Sequence, residues 1–261
     1  MPDGSDEKIS VAPIIAAIEA PCLSDLSERD KPWDKHRSNT DKVSAHYRRS
    51  EFSNLSDRTF FCSDSLDFKY VPGDEGELKL KLASARFCRV RHCPICQWRR
   101  SLMWKAKAYK VLPKIVEQYP KHRWLFVTLT VKNCAITDLR STLDWMNQSF
   151  KRFTKLKDWP ADGWLKSVEV TRGKGGTAHP HFHCLLMVPP SYFSHGYLSQ
   201  AKWVELWQRC LRIDYQPVMD VQAVKKGEQP MQLIPELLKY CVKESDLVVD
   251  RDWFLELTRQ L

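Results

Sequence analysis

Residues 164–188 read WLKSVEVTRGKGGTAHPHFHCLLMV, and this stretch decides the architecture. Two runs of β-branched and apolar residues, 164–172 and 179–188, flank a glycine-rich linker at 173–178. Glycine tolerates the positive φ that a tight reversal needs, so an antiparallel hairpin is expected. Side chains alternate across a strand, which sends His179, His181 and His183 to one face. Phe182 and the run 184–188 (CLLMV) call for burial of the other face, as in an interior strand.

A turn centred near Gly176 sets residue 169 opposite 183 and residue 171 opposite 181. Glu169 then shares the histidine face, its carboxylate within ligand reach. Two or three imidazoles with one carboxylate suit a divalent ion such as Mn2+, Mg2+, Co2+ or Zn2+, with coordination positions left open. A single histidine is more often a structural residue. Three at alternate positions beside a glutamate are hard to explain as packing.

Outward from the hairpin, 123–131 (RWLFVTLTV) is a β-branched, aromatic run suited to a central strand. Residues 137–157 read as a helix, with Thr137 able to cap it and Leu139, Leu143, Met146, Phe150 and Phe153 at spacings of three and four. Helices are expected over 199–212, 232–243 and 253–261, and a strand over 217–225. Upstream, 60–62 and 78–82 (LKLKL) read as short strands. Residues 97–119 read as a helix that Pro113 bends or ends. The sum is an α+β chain whose central antiparallel sheet, of about five strands, is flanked by helices.

Residues 1–50 are polar and broken by Pro13, Pro21 and Pro32, so a flexible arm is expected there. A cysteine-rich module over 51–100 leads into a basic helix, and 101–261 form the main domain. Residues 9–18 follow an acidic start and are too short for a good signal peptide. No run approaches a membrane span, so the reading is a cytoplasmic protein.

The net charge is +9, and it is localised. Between Arg86 and Lys132, twelve Lys or Arg stand against one acid, Glu117, an excess larger than that of the whole chain. Arg89, Arg91, Arg99, Arg100, Lys105 and Lys107 are the candidate phosphate contacts, interleaved with Trp98 and Trp104 for base stacking. The bland alternative is a solvated helix face whose aromatics point into the core.

Of nine cysteines, Cys88, Cys93 and Cys96 cluster as C-x4-C-x2-C. In a reducing compartment that spacing points to a structural zinc ion, which wants four ligands. Cys62 is the choice for the fourth, with His92 as the alternative. Buried cysteines in a small loop would fit less well with the arginine-rich neighbours. Cys134, Cys184, Cys210 and Cys241 have apolar surroundings and read as small buried residues.

In 235–243, PELLKYCVK, the residues Glu236, Tyr240 and Lys243 are spaced by four and three, one stripe of a helix. A phenolate can attack phosphorus, an amine can steady negative charge, and a carboxylate can activate water. Taken alone, the stripe also suits a surface helix with an ion pair.

The chain resembles the rolling-circle plasmid replication initiators of the HUH endonuclease superfamily, in the branch with one active-site tyrosine and an accompanying glutamate. The matching motifs, in the family's order, are 125–131 (LFVTLTV), 179–183 (HPHFH) and 239–243 (KYCVK) preceded by Glu236. The cysteine segment 87–100, Gly163-Trp164 and Ser191-Tyr192-Phe193 also look similar, so the likeness spans roughly 55–261. It implies a palm-like fold with His181 and His183 holding the metal, Mn2+ or Mg2+, and Glu169 as third ligand. His179 would be a ligand or a supporting residue. Tyr240 would cut one strand at the double-strand origin, keeping a 5′ phosphotyrosine and freeing a 3′ hydroxyl primer. Glu236 would direct water, or substitute for a second tyrosine, in the terminating cleavage; Lys243 would contact the scissile phosphate or the metal-bound oxygen, and Thr128 and Thr130 would be mainly structural. No G-x4-G-K-[ST] loop is present, so unwinding is expected from a host helicase, with host replication proteins as further bacterial partners.

A conjugative relaxase or single-strand transposase shares this chemistry, but the cysteine segment and E-x3-Y-x2-K spacing argue against both. A non-catalytic zinc-dependent DNA-binding regulator is the alternative from another class. An H-x-H-x-D-H metallohydrolase fails because Cys184 follows His183.

Overall fold

The computed structural model describes residues 23–26, 28–225 and 227–261. The first 22 residues of the expected arm, including the stretch 9–18, lie outside them. The chain divides into two compact units, 1–35 and 36–261. In the first, helix α1 (Leu23–Leu26) starts with the backbone N–H groups of Leu23 and Ser24 donating to the Asp34 carboxylate at 3.1 and 2.9 Å.

Helix α2 (Lys31–Tyr47) ends in the second unit, where α3 (Ser53–Phe60) follows. The two strands β1 (Leu66–Pro72) and β2 (Leu78–Ala85) pair as a separate ribbon. Then come α4 (Pro94–Gln118), β3 (Arg123–Thr130), α5 (Leu139–Phe153), β4 (Gly163–Arg172) and β5 (Ala178–Val188). The chain finishes with α6 (Gln200–Leu211), β6 (Met219–Ala223), α7 (Ile234–Leu237), α8 (Glu244–Val249) and α9 (Arg251–Gln260).

The expected α+β class holds. The main sheet has four strands, not five, in the order β4-β5-β3-β6, every pair antiparallel. Its strands form because their alternating faces meet two helical layers. On one face Phe182 packs against Phe150 of α5 at 6.1 Å, and Phe153 meets Trp203 and Trp207 of α6 at 5.8 and 5.5 Å. The two buried indoles keep their hydrogen bonds, Trp207 donating to the Thr130 carbonyl and Trp203 to the Tyr192 hydroxyl, both at 3.1 Å. On the other face Trp124, Phe126, Leu185 and Met187 form a core with Leu112 of α4 and Ile234 and Leu237 of α7. His183 shares this second face, its ring stacked on Phe126 at 5.6 Å. Helices α4 and α7 therefore cover one end of the histidine face.

Several local expectations are corrected. The arm stops short of residue 50, because Val43 and Tyr47 of α2 are fully buried and Tyr47 lies 4.9 Å from Phe254 of α9. From residue 36 on, the buried residues of α2 are Thr40, Val43, Ser44 and Tyr47, and the two hydroxyl residues mute the apolar period. The pair Phe60-Phe61 is not a strand: α3 and a turn run through it, with both rings about half exposed. Pro113 does not end α4, which continues to Gln118. Proline has no N–H to give the Tyr109 carbonyl, and Tyr109 is an exposed residue. A 3-10 turn at Ile136–Asp138 leads into α5, and no side chain caps that helix.

The largest correction falls on the tyrosine segment. Only α7 and the preceding 3-10 turn (Pro230–Leu233) form within the helix expected over 232–243. The last helical bond runs from Leu238 N–H to the Ile234 carbonyl, after which the chain extends. Val170 of β4 donates to the Cys241 carbonyl at 2.8 Å, and Val242, fully buried, bridges Val170 in parallel. Pairing along the free edge of β4 and the burial of Val242 outweigh the local helical pattern, which contains the β-prone triplet Tyr240-Cys241-Val242. Beyond it, Asp246 of α8 accepts the Arg172 backbone N–H at 2.9 Å, which fixes the far side of the segment.

Candidate metal centre and nucleophile

The histidine face is assembled by strand register. Glu169 lies opposite His181, Ser167 opposite His183, and Thr171 opposite His179. This is two residues off the expected pairing of 169 with 183 and 171 with 181. The reversal is centred on Gly175: Gly173 N–H donates to the Thr177 carbonyl at 2.8 Å, and Gly175 and Gly176 take φ of 69° and 77°. A shift of two preserves the face, so Glu169 still meets the imidazoles.

Glu169 Oε2 lies 2.8 Å from His181 Nε2, 2.9 Å from His183 Nε2 and 2.8 Å from Lys239 Nζ. Its other oxygen is buried without a partner. Burial alone would raise the Glu169 carboxyl, but the hydrogen bonds from His181, His183 and Lys239 hold it well below the usual carboxylate range. The outer ring nitrogens are occupied. His181 Nδ1 donates to the His179 carbonyl at 3.3 Å, and His183 Nδ1 meets the Thr128 hydroxyl at 3.2 Å. These contacts turn both Nε2 atoms toward the carboxylate, the orientation in which a shared cation could take the place of the hydrogen bonds. Glu169, His181 and His183 thus form a group whose ligand atoms could hold a metal ion.

His179 stands outside that group. Its Nδ1 lies 2.7 Å from the Asn133 side-chain carbonyl, and its ring is 5.3 Å from that of His181. Burial lowers its pKa, His181 adds to the effect, and Glu169 opposes it.

Tyr240 lines a cleft of about 680 Å³ together with Arg89, Arg91, Arg100, Trp104, Lys166 and Lys239. Burial pushes its phenol above the ordinary value; Glu244, Glu169 and Glu236 push the same way, and Lys239 opposes them. The helical stripe of Glu236, Tyr240 and Lys243 does not exist. Glu236 instead pairs with Lys239 at 2.6 Å, and Lys243 is exposed at the N-cap of α8. Of the other expected phosphate contacts, Arg99 packs against Phe87 and Trp98, Lys107 lies 4.7 Å over the Trp104 ring, and Lys105 is half-buried on α4.

Cys62, Cys88, Cys93 and Cys96 form a second group, all four sulfurs within 4.8 Å of one another. Cys96 Sγ is 3.7 Å from Cys62 Sγ and 3.6 Å from Cys88 Sγ, near the edge of about 3.8 Å that a tetrahedron with Zn–S bonds of about 2.3 Å would have. The backbone N–H groups of Cys88 and Val90 donate to the sulfurs of Cys62 and Cys88 at 3.5 and 3.4 Å. Cys93 is the N-cap of α4 and Cys96 lies in its first turn, so the cluster anchors the basic helix. His92 is not in the group: it is buried nearby, its ring 6.2 Å from Phe254.

A family model described as a replication protein matches residues 79–261. The chain belongs to this family, the plasmid Rep initiators. A "Protein rep" of Lentilactobacillus hilgardii is 34% identical over 92% of this chain and 78% of its own length. One from Streptococcus pneumoniae serotype 2 is 36% identical over 75% of this chain and 62% of its own. A third, from Lactiplantibacillus plantarum, is 36% identical over 88% of this chain and 75% of its own. No solved structure matches. Among the described residues no helix is long and apolar enough to cross a membrane.

Two contacts in this Rep chain escaped the sequence reading. Lys239, not Lys243, reaches the glutamate, and helical spacing had placed it off the stripe. Thr128 supports His183 directly, a role open to inference only once β3 and β5 are paired with Thr128 opposite His183.

Proposed function

We propose that this Rep protein starts plasmid replication by cutting one strand of origin DNA and joining itself to the 5′ end through Tyr240. The observation that carries the reading is the Val170–Cys241 hydrogen bond, which holds the tyrosine segment along the strand that bears Glu169. The Tyr240 oxygen attacks phosphorus, the bond to the 3′ oxygen breaks, and the phenol proton ends on that oxygen, leaving a 5′ phosphotyrosine and a 3′ hydroxyl primer. A divalent ion, Mn2+ or Mg2+, held by Glu169, His181 and His183 supplies positive charge that polarises the phosphodiester.

Lys239 takes the part that the resemblance gave to Lys243: its ammonium stands at Glu169 and steadies negative charge developing at the phosphate. Arg89, Arg91 and Arg100 bind flanking phosphates in the Tyr240 cleft. His179, hydrogen-bonded to Asn133, orients its neighbour His181. Glu236, paired with Lys239, directs water in the closing cleavage. Zinc at the four cysteines fixes the start of α4, and a host helicase unwinds the duplex.

The test incubates the protein and Mn2+ with a single-stranded oligonucleotide spanning the plasmid origin, then resolves the products on a denaturing gel. A covalent adduct from the unsubstituted chain and none from Tyr240→Phe is expected. No adduct, or equal adducts, overturns the reading.

A further inference from the structure

The Tyr240 cleft does not end at α4. Trp104, Leu165 and Leu238 line both that cleft and an adjoining groove of about 430 Å³, so the two are continuous. The groove runs between α4 and the start of β4, and its walls are apolar. Two indoles face it with much of their surface open: Trp104 is 49% exposed and Trp164 46%. Trp164 is held edge-on by Trp159 at 5.7 Å and Phe150 at 6.3 Å, so the plane of its ring is set in advance. Lys107 sits over the Trp104 ring on the groove's rim.

We infer that this groove holds an unpaired base of the strand being cut, stacked on Trp164 with Trp104 on the facing wall. The inference rests on the single-strand reading above. Its occupant follows from charge and shape together. Helix α4 carries six Lys or Arg and one acid, Glu117, so a polyanion is favoured. Exposed indole faces ask for flat aromatic rings, and single-stranded DNA offers both charge and rings at once. Duplex DNA hides its bases in its own stack and cannot enter. Continuity with the Tyr240 cleft places the bound base within a few nucleotides of the scissile phosphate, which makes Trp104 and Trp164 determinants of which strand segment is presented.

The test uses the full chain bearing Tyr240→Phe, without added divalent metal, so that cutting plays no part. Fluorescence anisotropy compares fluorescein-labelled oligothymidylate with a chain of equal length made of abasic sites, at one salt concentration. The bases are expected to tighten binding by at least about tenfold. Trp164→Ala should bring that ratio close to one with the abasic affinity unchanged, and Trp164→Phe should restore most of it. Should Trp164→Ala fail to fold, as judged by near-ultraviolet circular dichroism, Trp104→Ala on the exposed face of α4 replaces it. A ratio near one in the parent, or an unreduced ratio in a folded Trp→Ala variant, overturns the inference; the latter outcome gives the groove to a protein partner. A failed adduct assay with an intact ratio would sink the nicking reading alone.

Discussion

Val170 and Cys241 are joined by a single backbone hydrogen bond of 2.8 Å, and that bond ties the two halves of the candidate site together. Val170 follows Glu169 on β4, and Cys241 follows Tyr240 in a segment with no regular structure of its own. The candidate metal ligands are rigid because they sit on paired strands, His181 and His183 on the interior strand β5 and Glu169 beside them on β4. Tyr240, the proposed nucleophile, is placed by one bond, by the buried Val242 side chain, and by the short helices on either side. Truncating Val242→Ala should therefore cost about 1–3 kcal/mol of stability. It should slow adduct formation more than it weakens oligonucleotide binding. Denaturant titration and a time course of the adduct check this, and equal losses in rate and affinity would contradict it.

The lysine assignment is separable by substitution. Lys239 Nζ lies 2.8 Å from Glu169 Oε2, whereas Lys243 is exposed at the start of α8. Lys239→Met should reduce the rate of adduct formation by about 10²–10³-fold, the usual effect of removing one donor to developing negative charge. Lys243→Met should leave it near the parent value. The reverse ranking would return the role to Lys243.

The hairpin was legible because its signals are local: period-two alternation, a glycine-rich reversal and three histidines two apart. The cysteine group was legible for the same reason, since the C-x4-C-x2-C spacing lies within one short loop and a helix start. What could not be read were the effects of remote pairing. Tyr240 leaves its helix because Val170, 70 residues earlier, captures the Cys241 carbonyl, and nothing near Tyr240 announces this. The hairpin register differed by two because Thr177 bonds across the loop, moving its centre from Gly176 to Gly175. Helix α2 was missed because Thr40 and Ser44 fill half of its buried stripe, and their hydroxyls find partners only once the chain is folded: Thr40 at the His36 carbonyl, Ser44 at the Ser56 carbonyl.

Thr128 offers a test of the metal site that leaves every ligand in place. Its hydroxyl meets His183 Nδ1 at 3.2 Å, and such contacts fix the orientation and basicity of a ligating imidazole. Thr128→Val keeps the shape and removes the hydrogen bond. Mn2+ affinity, read by isothermal titration, should fall about 10–100-fold with little change in melting temperature. An unchanged affinity would reduce Thr128 to a packing residue.

The cysteine group makes a prediction that depends on which residue completes it. Cys62 enters from the end of α3, 26 residues before Cys88, and its sulfur lies 3.7 Å from that of Cys96. His92 is nearer in sequence to Cys93 but is absent from the group, buried with its Nε2 unpartnered. Burial, with Arg91 and Arg100 adding to it, pushes His92 down to about 3, so it is neutral at any working pH and free in principle to ligate; its position decides against it. The purified chain should hold about one zinc per molecule. Cys62→Ser should lose that zinc and lower the melting temperature, because the start of α4 and the chain entering β1 and leaving β2 carry the cluster's cysteines. His92→Asn should keep it. Metal analysis by mass spectrometry decides the matter: zinc retained by Cys62→Ser and lost by His92→Asn would exchange the two assignments.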